Sequence, residues 1–134
     1  MNSEKSDRAF GEAHLYAAVT KADGILSSTE RQKAGYYAEK SQDVMNVMGI
    51  NNRVKQGVKE AVTDILNRRE FSSWTSEDHM DKSIELLSRA KKRGEPGIDM
   101  VVEKNSEGLY ELALSDGYVI KEKRILDKIR ALEF

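Results

Sequence analysis

The sequence predicts an all-α protein, a compact bundle of six or seven helices forming one domain over residues 1–134. Three observations carry that expectation. A single proline stands among the 134 residues, so long stretches lack the residue that breaks helices. Apolar residues recur at three- and four-residue spacing through most of the chain, the period of a helix with one buried face. No alternation of apolar and polar residues runs long enough to suggest a strand.

The first helix is expected at about 4–22, where Leu15, Ala18, Val19 and Ala22 share a face behind Phe10 and Gly24 closes it as a left-handed cap. The second is expected over about 28–48, with Ala34, Tyr37, Ala38, Ser41, Met45 and Met48 on one face and Gly49 as the stop. Asn51 or Asn52 then caps a third helix carrying Val54, Val58, Ala61, Val62 and Ile65, which ends near "NRR". "FSSWTSED" is a break: its serines and Thr75 are cap residues, and Trp74 suits a hydrophobic staple against a residue one turn into the next helix. That fourth helix shows Met80, Ile84, Leu87 and Ala90 and ends in the basic turn "RAKKRG", which complements its dipole. Pro96 suits the first turn of a fifth segment in which Ile98, Val101, Val102, Asn105, Leu109 and Leu112 share a face. Asn105 and Gly108 are weak helix formers, which leaves open whether 96–115 is one helix or two. Ile125, Ile129 and Leu132 line up in the last helix.

The totals narrow the function classes. Lys and Arg number 22 against 23 Asp and Glu, a net charge of −1 that gives no global attraction to nucleic acid or anionic membrane. The cluster Arg89, Lys91, Lys92 and Arg93 reads as a helix C-terminus dressed with cations, so no nucleic-acid partner is expected. Cysteine is absent, which removes disulfides, thiolate metal sites and thiol nucleophiles together. No run of about 18 apolar residues spans a bilayer, and "MNSEKSDRAF" lacks the apolar core of a secretory signal, so a cytoplasmic protein is expected. The two histidines, His14 beside the first helix's apolar face and His79 in a helix's first turn, show no HxxxH or HxxE spacing and are too few for zinc. Neither a nucleophile elbow nor a phosphate-cradling glycine loop is present, and the chain is expected not to be an enzyme.

The ends of the chain echo each other. "ADGILSSTER" (22–31) aligns without gaps on "SDGYVIKEKR" (115–124), matching Asp23 with Asp116, Gly24 with Gly117, Leu26 with Val119 and Arg31 with Arg124. Each copy lies between two amphipathic segments, so two helix–DG–helix hairpins are expected to pack together at the N- and C-terminal ends of the bundle.

These two DG-x-aliphatic turns at opposite ends of an all-helical chain resemble the TerB (tellurite resistance) family, a group that includes the domain beside the J domain in DjlA-type co-chaperones. The resemblance covers the layout of the whole chain. "ADGILSSTE" follows the family's A-D-G, aliphatic, small polar, glutamate order, whereas "SDGYVIKEK" has Ile120 in the small polar place and its acid at Glu122, with Lys123 in the usual spot. The resemblance implies a helical fold, a stress-response context with other stress-response proteins as partners, and acidic positions that bind a cation.

Two readings of the turns follow. "KADGILSSTE" is not an EF-hand: with Asp23 at position 5 and Glu30 at position 12, positions 1 and 3 fall on Val19 and Lys21, neither of which offers an oxygen. A Ca²⁺- or Mg²⁺-type site would instead need the hairpins to face each other, bringing Asp23, Glu30, Asp116 and Glu122 together. On the structural reading Gly24 ends a helix, Ser27 caps the next one with Glu30 completing a capping box, and Asp23 complements a helix dipole. The protein then works as an interaction or self-association module, a homodimer included. Tyr36 and Tyr37 point about 100° apart on a helix, so one of them, together with Trp74, is the expected contact surface.

Overall fold

The computed structural model describes residues 3–22, 32–38, 52–115, 120–132 and 134. They form α1 (Ser3–Thr20), α2 (described over 32–38), α3 (Asn52–Asn67), a 3₁₀ turn (Arg69–Phe71) and α4 (Ser76–Lys92). A second 3₁₀ turn (Ile98–Met100) leads into α5 (Val101–Ser115), and α6 (Ile120–Arg130) follows. The protein is all-helical, with six α-helices and no strand among the described residues. No helix among them is long and apolar enough to cross a membrane.

α1 is the axis of the bundle. Every residue from Gly11 to Thr20 is buried, so the helix is enclosed on all sides. The expectation of a single apolar face on α1 is therefore corrected. Its small residues, Gly11, Ala13, Ala17 and Ala18, let neighbouring helices approach closely, while Glu12, His14, Tyr16 and Thr20 take polar atoms inside with them. Each of these must find a partner there, because an unpaired buried polar group is costly.

α4 is the principal neighbour and runs antiparallel to α1. Ser76 Oγ donates to the Ala18 carbonyl (2.6 Å), His79 meets His14, and Ser83 Oγ donates to the Gly11 carbonyl (2.7 Å). At the far end Arg93 reaches Asp7 at 2.7 Å. A β-carbon built on Gly11 would lie 2.7 Å from Leu87 Cγ, so the two helices touch where α1 has no side chain. The basic turn closing α4 is present as expected, and Arg89, Lys91 and Arg93 in it are engaged. Arg89 and Arg93 hold Asp7, and Lys91 holds Asp99 at 2.7 Å.

The start of α4 follows its sequence signals. Thr75 Oγ1 accepts from the Asp78 N–H (3.2 Å) while the Thr75 N–H donates to Asp78 Oδ2 (2.9 Å), a reciprocal capping box. Trp74 precedes the cap and lies 5.3 Å, ring to ring, from His79 one turn in, the place a hydrophobic staple occupies. α3 buries Val58, Ala61, Val62 and Ile65, and α6 buries Ile125 and Ile129, as their spacing predicts.

Two details of 96–115 differ from expectation or resolve it. Pro96 is not in the first helical turn; it lies in a turn with Gly97, whose φ of 81° is open to glycine at little cost, and helical structure begins at Ile98. From there one helix runs through Asn105 and Gly108 without a break. Asn105 is tolerated because its amide is used inward, donating to the Val101 carbonyl at 2.9 Å and to Glu12. The paired DG turns at 23–26 and 116–119, on which the pseudo-repeated hairpins rest, lie outside the described residues.

Candidate functional site

Of the four expected cation ligands, Asp23, Glu30 and Asp116 lie outside the described residues. Glu122 falls within the backbone of α6, and its side chain is outside the described ones. Among the described residues no three His, Asp or Glu side chains converge as a metal site would require. Of the three expected contact residues, Tyr36 is exposed on α2, Tyr37 is half-buried against the core with its ring 5.1 Å from that of Tyr36, and Trp74 is half-buried.

The structure joins two residues that the sequence keeps 65 positions apart. His14 on α1 and His79 on α4 face each other with Nδ1 atoms 2.8 Å apart, at 2 % and 0 % exposure. A bond of that length between imidazoles needs one Nδ1 to donate and the other to accept. The rings sit in an aromatic enclosure. Trp74 stacks on His14 (5.8 Å, 22° between planes) and Phe71 meets it edge-on (5.3 Å, 86°). Phe71 and Trp74 themselves contact at 4.6 Å. Lys21, one residue past the end of α1, donates from Nζ to the carbonyls of Phe71 and Trp74 and so ties the 71–74 turn to the axis helix.

Both imidazoles are held neutral. Burial lowers the pKa of His14 from 6.5 to about 4, and Lys82, Lys21 and Arg68 add repulsion. Burial likewise takes His79 to about 3, with Lys21 and His14 opposing its charge and Asp78 favouring it. His79 Nε2 is buried and has no hydrogen-bond partner among the described residues. A metal cation would meet the same positive surroundings that repel the proton. Sequence inspection placed each histidine on its helix, but nothing local in the chain marks them as partners.

A second buried polar group surrounds Glu12. Its Oε1 accepts from Asn105 Nδ2 (2.8 Å) and pairs with Lys104, and Arg8 Nε stands 3.8 Å from Oε2. Tyr16 donates from its hydroxyl to Asn105 Oδ1 at 2.8 Å. These contacts bind α1 to α5 and are saturated with protein groups on the Oε1 side. They form a structural network.

The outer surface carries a feature that the sequence reading missed. Met100, the last residue of the 3₁₀ turn, and Glu103, Glu107, Tyr110 and Leu114, the exposed face of α5, recur at alternating three- and four-residue spacing. Three of them are large and apolar, with exposures of 60 % for Met100, 39 % for Tyr110 and 46 % for Leu114. The signal was present as a second periodic set, offset from the buried one. Elsewhere Trp74, Asp78, Asp81, Lys82 and Glu85 line an open groove along α4.

Fold and site together define an all-helical bundle wound on a buried axis helix, with its two imidazoles turned inward and an apolar-acidic stripe turned outward. Comparison with protein families, curated proteins and solved structures finds no match to this chain.

Proposed function

We propose that the protein is a non-catalytic, TerB-like helical module that works by self-association through the outer face of α5. The observation that carries this reading is the exposed stripe Met100–Glu103–Glu107–Tyr110–Leu114, whose spacing is that of a helix seam made to lie along another helix. The partner is a second copy. Laid antiparallel about a two-fold axis at Glu107, the stripe sets Met100 against Leu114 of the other copy and Glu103 within one residue of its Tyr110. Glu107 meets its own counterpart, a like-charge contact that keeps the association weak and reversible. A net charge of −1 adds little long-range repulsion between copies. The engagement of both histidines in core packing supports the non-catalytic reading, since neither presents an imidazole to a substrate.

Sedimentation velocity across a concentration series tests the proposal. A monomer–dimer equilibrium is expected. Tyr110→Gln with Leu114→Gln returns it to monomer, and Glu107→Gln strengthens it several-fold. A chain that stays monomeric throughout, or a dimer indifferent to these changes, defeats the reading. The resemblance in the DG turns carries cation binding by Asp23, Glu30, Asp116 and Glu122 as a companion proposal. Its check is calorimetric titration of metal-free protein with Ca²⁺ and then Mg²⁺, with saturable heat lost in Asp23→Asn/Asp116→Asn.

A further inference from the structure

The 71–74 turn is held to the bundle by contacts that converge on the histidine pair. Trp74 lies over His14, Phe71 closes the edge, and Lys21 clasps the turn's carbonyls from the end of α1. The two rings at the centre of these contacts are neutral. One proton taken from solvent preserves an N–H···N bond between the rings but leaves a positive charge in an apolar enclosure. Around that charge, among the described residues, stand Lys21 on the α1 side, Arg68 ahead of the turn and Lys82 on α4, with Asp78 opposing them. The Asp78 carboxylate is already accepting from the Thr75 N–H. A second proton makes both Nδ1 atoms donors, facing each other at hydrogen-bond distance with nothing to accept.

Relief is available locally. The side of the enclosure formed by Phe71 and Trp74 is a short connection between α3 and α4, whereas the other walls are the helices of the core. Moving the turn outward admits water to the rings without unpacking α1 from α4. We propose that the His14–His79 pair is an acid-triggered release for the Phe71–Trp74 turn, in which protonation drives Trp74 off His14 and exposes an aromatic edge beside the α4 groove while the helices stay folded. At neutral pH burial and the surrounding cations keep the pair uncharged and the turn closed.

Trp74 is the sole tryptophan, so its emission reports the turn directly. The experiment titrates the full chain from neutral pH toward about 3, recording tryptophan emission, acrylamide quenching, far-UV circular dichroism and the imidazole NMR signals together. The expected result is a reversible red shift and increased quenching that coincide with imidazole protonation, below the ordinary imidazole range, at unchanged ellipticity. In His14→Asn/His79→Asn, whose amides hold no titrating proton, the change disappears. If that variant does not fold, coincidence of the emission and imidazole transitions in the native chain decides the matter. Emission that moves only with loss of ellipticity, a transition unaltered in the double variant, or imidazoles that titrate with Trp74 still in place would each overturn the proposal.

Discussion

Glu12 is fully buried on the axis helix and survives there only through its partners: Lys104, the Asn105 amide and the nearby Arg8. Removing its charge leaves cations facing a neutral amide in a site closed to water. Glu12→Gln is therefore expected to lower stability by about 3 kcal/mol, the scale for breaking one side of a buried charge pair, read as a fall in the urea midpoint. Gly11 makes a different kind of demand. A methyl group there collides with Leu87, itself fully buried, so Gly11→Ala should cost about 1–2 kcal/mol even though alanine is the better helix former. Chemical unfolding at equal slope is the check; a gain in stability would mean that Leu87 has room to turn away. Little at this scale was legible beforehand. Glu12 and Asn105 are 93 positions apart, and no local pattern marks a carboxylate as buried rather than solvated.

Among the elements, α4 is the one whose limits are written most plainly in its own residues. The Thr75–Asp78 box starts it, Trp74 staples it to His79, and basic side chains close it. Thr75→Ala is expected to cost about 1 kcal/mol and to fray the first turn, visible as faster amide exchange at Ser76–Asp78. Elements that are buried on one side, such as α3, α4 and α6, could be drawn from their spacing because solvent imposes polarity on the other side. α1 could not, since it has no solvent side: its polar residues are interior, and their spacing reports partners on other helices rather than exposure. α5 falls between. Its buried face was legible, while its outer stripe passed for an ordinary solvated surface until exposure showed Met100, Tyr110 and Leu114 together.

For the whole molecule, the histidine pair couples stability to pH. Its imidazoles have folded-state pKa values of about 4 and 3, below the unfolded value near 6.5, so the unfolded chain binds protons that the folded chain refuses. Stability is fully present above pH ~6.5 and falls as pH drops through the folded values, by on the order of a few kcal/mol. Denaturant midpoints measured between pH 7 and 4.5 should decline more steeply in the native chain than in His14→Asn/His79→Asn. Equal slopes would mean that carboxylates alone set the acid sensitivity. By itself the sequence determined the helical class, the order of the described helices and the ends of α3 and α4, because proline scarcity, cap residues and the 3.6 period act within a few residues of where they are written. Only the tertiary structure decided that α1 is the axis, that His14 meets His79, that Glu12 is held by α5 and which α5 residues remain outside. Each of those depends on contacts between segments far apart in the chain, and such contacts arise from packing volume and the need to satisfy buried polar groups, which no local pattern records.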